Sequence, residues 1–218
     1  MAITYPRALN SFADTLKIAS VTWKLQEQQE ISMLGSGEII AGDMGPSLWT
    51  GEVSLVPADH ADARAVQADI ETLEGSMQTF FLYDPRAIYP IDDPTGSKLG
   101  AANPVISSIN PNNKALIVSG LPALYNLSKG DMLSFNYGTS PVRRALHRIV
   151  ETVTASGAGV SPSFEVRPHI RPGATAGIAV SLIKPAAKVR LFPGSFEEGQ
   201  GAPVITSGMS FRVIQTLG

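Results

Sequence analysis

The chain of 218 residues has no cysteine, which excludes disulfides and thiolate metal sites. Histidine is nearly as scarce. His60, His147 and His169 are scattered, and no Cys or spaced carboxylate completes a zinc set around the two expected on neighbouring strands, His147 and His169. Charge is thin as well: 17% of residues are Asp, Glu, Lys or Arg, and the formal balance is -2. That balance gives no global field toward nucleic acid or an acidic membrane, so neither is expected as a partner. No apolar run approaches the roughly 18 residues a membrane-spanning helix requires. The opening MAITYPRALN has no apolar core of a secretory signal, so synthesis and folding in a cytoplasm are expected. Catalytic signatures are missing too. There is no Gly-x-Ser-x-Gly elbow, and Gly35 to Gly42 lacks the Lys-Ser/Thr end of a phosphate loop. Asp92 and Asp93 precede a Pro-Thr-Gly turn, with too few alternating oxygens for calcium. The chain is therefore expected to be no enzyme and to carry no metal or cofactor.

What is present is apolar content of 44%, enough for a substantial core, with 20 Gly and 16 Pro spread along the whole chain. That distribution predicts many short strands joined by turns. TLKIASVTWKLQEQQEI reads as one or two strands, GSGEIIAGDMGP as turn residues around a short apolar pair, and SLWTGEVSLVP as a strand ended by Pro57. The period then changes. Ala63, Val66, Ile70 and Leu73 follow helical spacing, Asp59 suits the N-cap and Gly75 the stop, predicting one helix over 59–74. Strands are expected again in MQTFFLYDP, PVISSINPNNKALIVSG, DMLSFNYG, AGIAVSLI, AKVRLFP and MSFRVIQTL, with a hairpin turning at Ser156 to Gly159. The expected fold is mainly β with one packed α-helix, built as β-sandwich or β-barrel-like domains whose strands are joined by hairpins. A Pro-, Gly- and Asp-rich stretch, Ile88 to Asn103, reads as a long loop. It suggests an N-terminal part, 1–103, which carries the helix and would form the ring, and a C-terminal barrel or sandwich, 104–218. One interleaved fold is the alternative.

Two local features bear on function. Charge is bipolar: Asp59 to Asp93 holds eight acids against two bases, and Pro141 to Arg171 holds five arginines against two acids. Head-to-tail contact between copies would use such a pattern, placing Asp62, Asp69 and Glu71 against Arg143, Arg144 and Arg148. The tripeptide Lys129-Gly130-Asp131 sits between apolar runs directly before a strand, which predicts a tight turn and not a displayed receptor ligand.

The order LPALYNLSKGDMLSF, RRALHRIVETVTASGAGVSPSFEVRPHIRPG, LIKPAAKVRLFPGSF and GMSFRVIQTL resembles the distal tail (tail-tip) structural proteins of long-tailed bacteriophages. The positions that carry the resemblance are Leu127, Gly130, Asp131, Leu146, His147, Arg148, Ile149, Gly157, Gly159, Val166, Pro168, Ile170, Arg171 and Phe211, with Ile149 where the pattern has Val. DMGPSLWTGEVSL, IETLEG and MQTFFLYDP of the first half are similar to the same family. The resemblance implies a virion tail protein without catalytic residues or cofactor. It would form a homo-oligomeric ring, expected to be hexameric, between the tail tube protein and the hub or tip proteins. The alternative class is a carbohydrate- or receptor-binding β module. That class needs exposed aromatics, for which Trp23, Trp49, Tyr89 and Tyr137 are the candidates, although both tryptophans lie in expected strands and suit a core.

Overall fold

The computed structural model describes residues 3–218. In chain order the strands begin with β1 (Ile18–Met33), β2 (Ile39–Leu55) and β3 (Ala58–Asp59), followed by the helix α1 (His60–Glu71). Next come β4 (Phe80–Tyr83), β5 (Val105–Ile109), β6 (Ala115–Ser119), β7 (Asn126–Leu127) and β8 (Met132–Tyr137). β9 (Arg143–Ile149), β10 (Val153–Thr154), β11 (Phe164–Arg167) and β12 (Val180–Ser181) precede β13 (Ala186–Leu191), β14 (Gln200–Gly201), β15 (Ile205–Ser207) and β16 (Ser210–Gln215). The protein is mainly β, with α1 the one α-helix among the described residues.

Two compact units divide the chain. One takes Phe80–Lys188 with the N-terminal stretch up to Asp14 and the last two residues, and the other takes Thr15–Thr79 and Val189–Thr216. The units therefore do not part at residue 103. The stretch Ile88 to Asn103 lies inside the first unit, where it contributes Leu99 and Ala102 to the core. It is also no loosely ordered arm. Buried Asp93 accepts from the amides of Lys98 and Leu99 at 3.0 and 2.8 Å, and Asp131 accepts from Ile91 N at 2.7 Å. Burial would raise the Asp93 pKa, but these amide bonds and the Tyr125 hydroxyl outweigh it and hold the carboxyl below its ordinary value.

The first unit is a six-stranded antiparallel sheet in the order β12-β8-β9-β11-β6-β5. It comes close to closing on itself, because Val105 at the start of β5 bridges Ala179 beside β12, and Val180 N donates to Pro104 O at 2.8 Å. Near-closure leaves little sheet edge exposed. Alternate residues point into the barrel, among them Leu133, Phe135 and Tyr137 of β8, Ala145 and Ile149 of β9, and Phe164 and Val166 of β11.

In the second unit the antiparallel order is β1-β2-β16-β13, beside a small sheet β14-β15-β3 and α1. Its core is a layer of Trp23, Trp49, Val53, Phe211 and Val213, and the two indoles stack with centroids 6.2 Å apart. Gly51, paired with Trp23 across the hairpin, leaves room for that ring, since a Cβ there would lie 2.6 Å from it. Asp59 caps α1 by accepting from Ala61 N and Asp62 N at 2.9 and 2.8 Å. The helix stops at Glu71, three residues before the expected end. Leu73 N and Glu74 N close tighter three-residue turns onto Ile70 O and Glu71 O, and Glu74 already has positive φ. Leu73 stays fully buried all the same, so the apolar stripe outlasts the helix.

Candidate assembly surface

β1 and β2 form one hairpin far longer than the sheet it belongs to. β16 pairs with β2 only over Thr50 to Ser54. From Gln26 and Leu48 to the tip, the two strands have only each other as strand partners among the described residues, and β1 ends the strand order along its outer edge. This arm reaches about 25 Å at the usual rise per residue. Leu34 N to Glu38 O at 2.9 Å and Gly37 N to Leu34 O at 2.8 Å close its tip.

The side chains of the arm are unlike those of a solvated ribbon. Ile31, Met33, Ile39 and Met44 are 63%, 71%, 61% and 69% exposed, and Leu34 and Ile40 are exposed beside them. Met33 faces Ile39 and Ile31 faces Ala41 in register, so the apolar residues meet across the two strands. An isolated two-stranded hairpin is marginal in water, and a contiguous exposed apolar patch marks an interaction site. By sequence this segment reads as turns around a short apolar pair, and the structure corrects that. The signal lies in the apolar residues on each side of Gly35-Ser36-Gly37, which is hairpin chemistry.

The residues expected at a subunit contact fall into two groups. Asp62 and Asp69 line a shallow groove on the second unit with Lys17, Leu55, Val56 and Val66, and Glu71 is exposed at the end of α1. Asp62 is already paired with Lys17 at 2.8 Å. In the barrel, Arg143 is exposed and Arg148 half-buried. Arg144 is turned inward: its guanidinium donates to Ser134 Oγ at 2.8 Å, Asn136 Oδ1 at 3.2 Å and Ala186 O at 3.2 Å. Those bonds make Arg144 a pin of the barrel wall.

Of the aromatics named for glycan binding, Trp23, Trp49 and Tyr137 are core residues and Tyr89 alone is exposed. Asp131 of the Lys-Gly-Asp turn is buried and accepts from Ser128 N at 2.8 Å as well as from Ile91, so it latches a loop and is not displayed. Among the described residues no group of three or more His, Cys, Asp or Glu side chains is placed to hold a metal ion, and no helix is long and apolar enough to cross a membrane.

His147, which by sequence reads as a surface or interface residue, is buried inside the barrel. It stacks on Phe135 at 5.2 Å, and its Nδ1 lies 2.7 Å from Pro168 O. Burial lowers its pKa to about 4. An unfolded histidine titrates near 6.5. Between those values the unfolded chain takes up a proton that the native barrel refuses, so this contribution to stability is full above the upper value and is lost as pH falls toward the lower. Urea midpoints measured across that range are expected to fall with acidification, and H147Q is expected to flatten the slope.

No protein-family model matches the sequence, and no curated protein matches it.

Proposed function

We propose that the chain is a non-catalytic structural subunit of a phage-like tail. Copies of it assemble into a ring near the tail tip and join the tube to the hub or host-recognition device. The observation that carries self-assembly is the arm. Its two strands leave their sheet, expose six large apolar side chains at their end and, among the described residues, have no third strand to cover them. The tail assignment rests on the ordered motifs from Leu127 to Phe211, and the barrel supplies a rigid body on which a second set of contacts can be built.

Removing the arm tests the reading. Replacing residues 29–44 by Asn-Gly joins the paired Gln28 and Gly45 through a two-residue turn. The intact chain at high concentration is expected to give rings in negative-stain microscopy and a multimeric mass by light scattering. The shortened chain is expected to be monomeric with unchanged barrel stability. Monomers of the intact chain at millimolar concentration, or rings that survive loss of the arm, would overturn it.

A further inference from the structure

The barrel has two chemically different ends. At one end lie the β5–β6 turn, the β8–β9 loop and the segment after β11. Ile170 N donates to Asn113 O at 2.8 Å and Val166 N to Lys114 O at 3.0 Å, which brings the first and third together. Arg171 hydrogen-bonds Tyr137 at the end of β8 and lies close enough to Arg143 to feel its charge, which adds the second. Residues 110–114, 138–143 and 166–177 contain Lys114, Arg143, Arg167 and Arg171 and no acid, a balance of +4. Lys114 and Arg143 are exposed, and Val142 beside them is an exposed apolar residue. The opposite end carries Asp92, Asp93, Asp131 and Glu151 against Lys98 and Lys129, a balance of −2.

The arm is the complement of the basic end. Residues 26–45 hold Glu27, Glu30, Glu38 and Asp43 and no base, a balance of −4, around an apolar tip. The α1 acids fit less well, because Asp62 is met by Lys17 and Asp59 is used as the helix cap. We propose that the basic end of the barrel, centred on Lys114, Arg143 and Val142, receives the acidic, apolar-tipped arm of a second copy of this chain. The inference rests on the assembly reading above and names the arm's receptor. Opposite charges would steer the encounter and fix its register, while the apolar tip would supply the burial. Because the two surfaces differ, each copy can give an arm and receive one, which is the heterologous contact that closes rings.

The test is a charge swap on the intact chain, read by sedimentation velocity at low and at high salt. The arm variant is E30K/E38K/D43K and the barrel variant K114E/R143E, all at exposed positions. Each alone is expected to weaken self-association about tenfold or more, corresponding to roughly 1.4 kcal/mol. Their combination in one chain is expected to restore it, and salt is expected to weaken the wild type. A zero-length carbodiimide cross-link between Glu38 and Lys114, in a mixture of isotope-labelled and unlabelled copies, is expected to join labelled to unlabelled peptides. Loss of association in the arm variant alone, with an unaffected barrel variant and no rescue, would overturn this receptor and leave the arm's role in assembly standing. Cross-links confined to one copy would overturn it by placing the arm on its own barrel. Association unmoved by either variant, or absent in the wild type, would overturn the receptor and count against the assembly reading itself.

Discussion

Trp49→Ala is expected to cost about 3–5 kcal/mol, the range for truncating a large buried aromatic. Trp49 is 0% exposed, and its indole stacks on Trp23. Its amide also donates to Gln215 Oε1 at 3.3 Å, which ties β2 to the last strand. Removing the ring leaves a cavity between Trp23, Phe211 and Val213 that β-sheet backbone cannot collapse into, so the cost should sit high in that range. The measurement is urea unfolding followed by far-UV circular dichroism, where the midpoint of the affected transition should drop. A shift corresponding to under about 1 kcal/mol would mean that the Trp layer is not the core of the second unit. Both tryptophans of the chain belong to this unit, so fluorescence of the wild type reports on it and not on the barrel.

Gly159→Ala is expected to destabilise the barrel by about 2–5 kcal/mol, combining left-handed backbone strain with overpacking. Gly159 has φ +72, and a Cβ there would lie 2.0 Å from Leu121 O. The clash is with backbone, so no rotamer relieves it. The same two residues are joined by the bond from Leu121 N to Gly159 O at 3.1 Å, and the substitution would have to break that bond. Gly157, two residues earlier in the loop, is the control. A methyl group added there would meet nothing within 4 Å, and its φ is not positive, so Gly157→Ala should change stability by no more than about 0.5 kcal/mol. Equal effects at the two positions, read by urea midpoints, would sink the argument.

How far the sequence speaks depends on where each segment lies. α1 is legible because Asp59, Ala63, Val66 and Ile70 combine a cap with a helical stripe, and only its last turn departs from the expectation. The β5–β6 hairpin is legible because Pro111-Asn112-Asn113 is turn chemistry, and Asn113 does adopt positive φ. The loop around Gly159 reads by sequence as the tip of a simple hairpin. In the structure β10 leaves that hairpin to pair with β7, a long-range choice without a local signature. The arm is illegible for a different reason. Periodicity reports a face turned to a core, and the arm has no core to face. Gly42 and Gly45, together with Pro46, then read as breakers, although they stand in β2 near the register shifts of the hairpin. The polarity of the barrel is partly legible in the arginines from Arg143 to Arg171. Lys114 joins them only through the pairing of β6 with β11, which no local pattern announces.

The order of the strands along the chain also governs the order in which they become available during synthesis. The barrel segment, Phe80–Lys188, is continuous. The second unit is not: Val53 on β2 pairs with Phe211 on β16, near the end of the sequence. A ribosome therefore delivers the whole barrel segment before the strand that covers Trp49 exists. The apolar layer of the hairpin waits, half built, until the last residues leave the exit tunnel, and the finished arm cannot stand on a completed sheet until the chain is released.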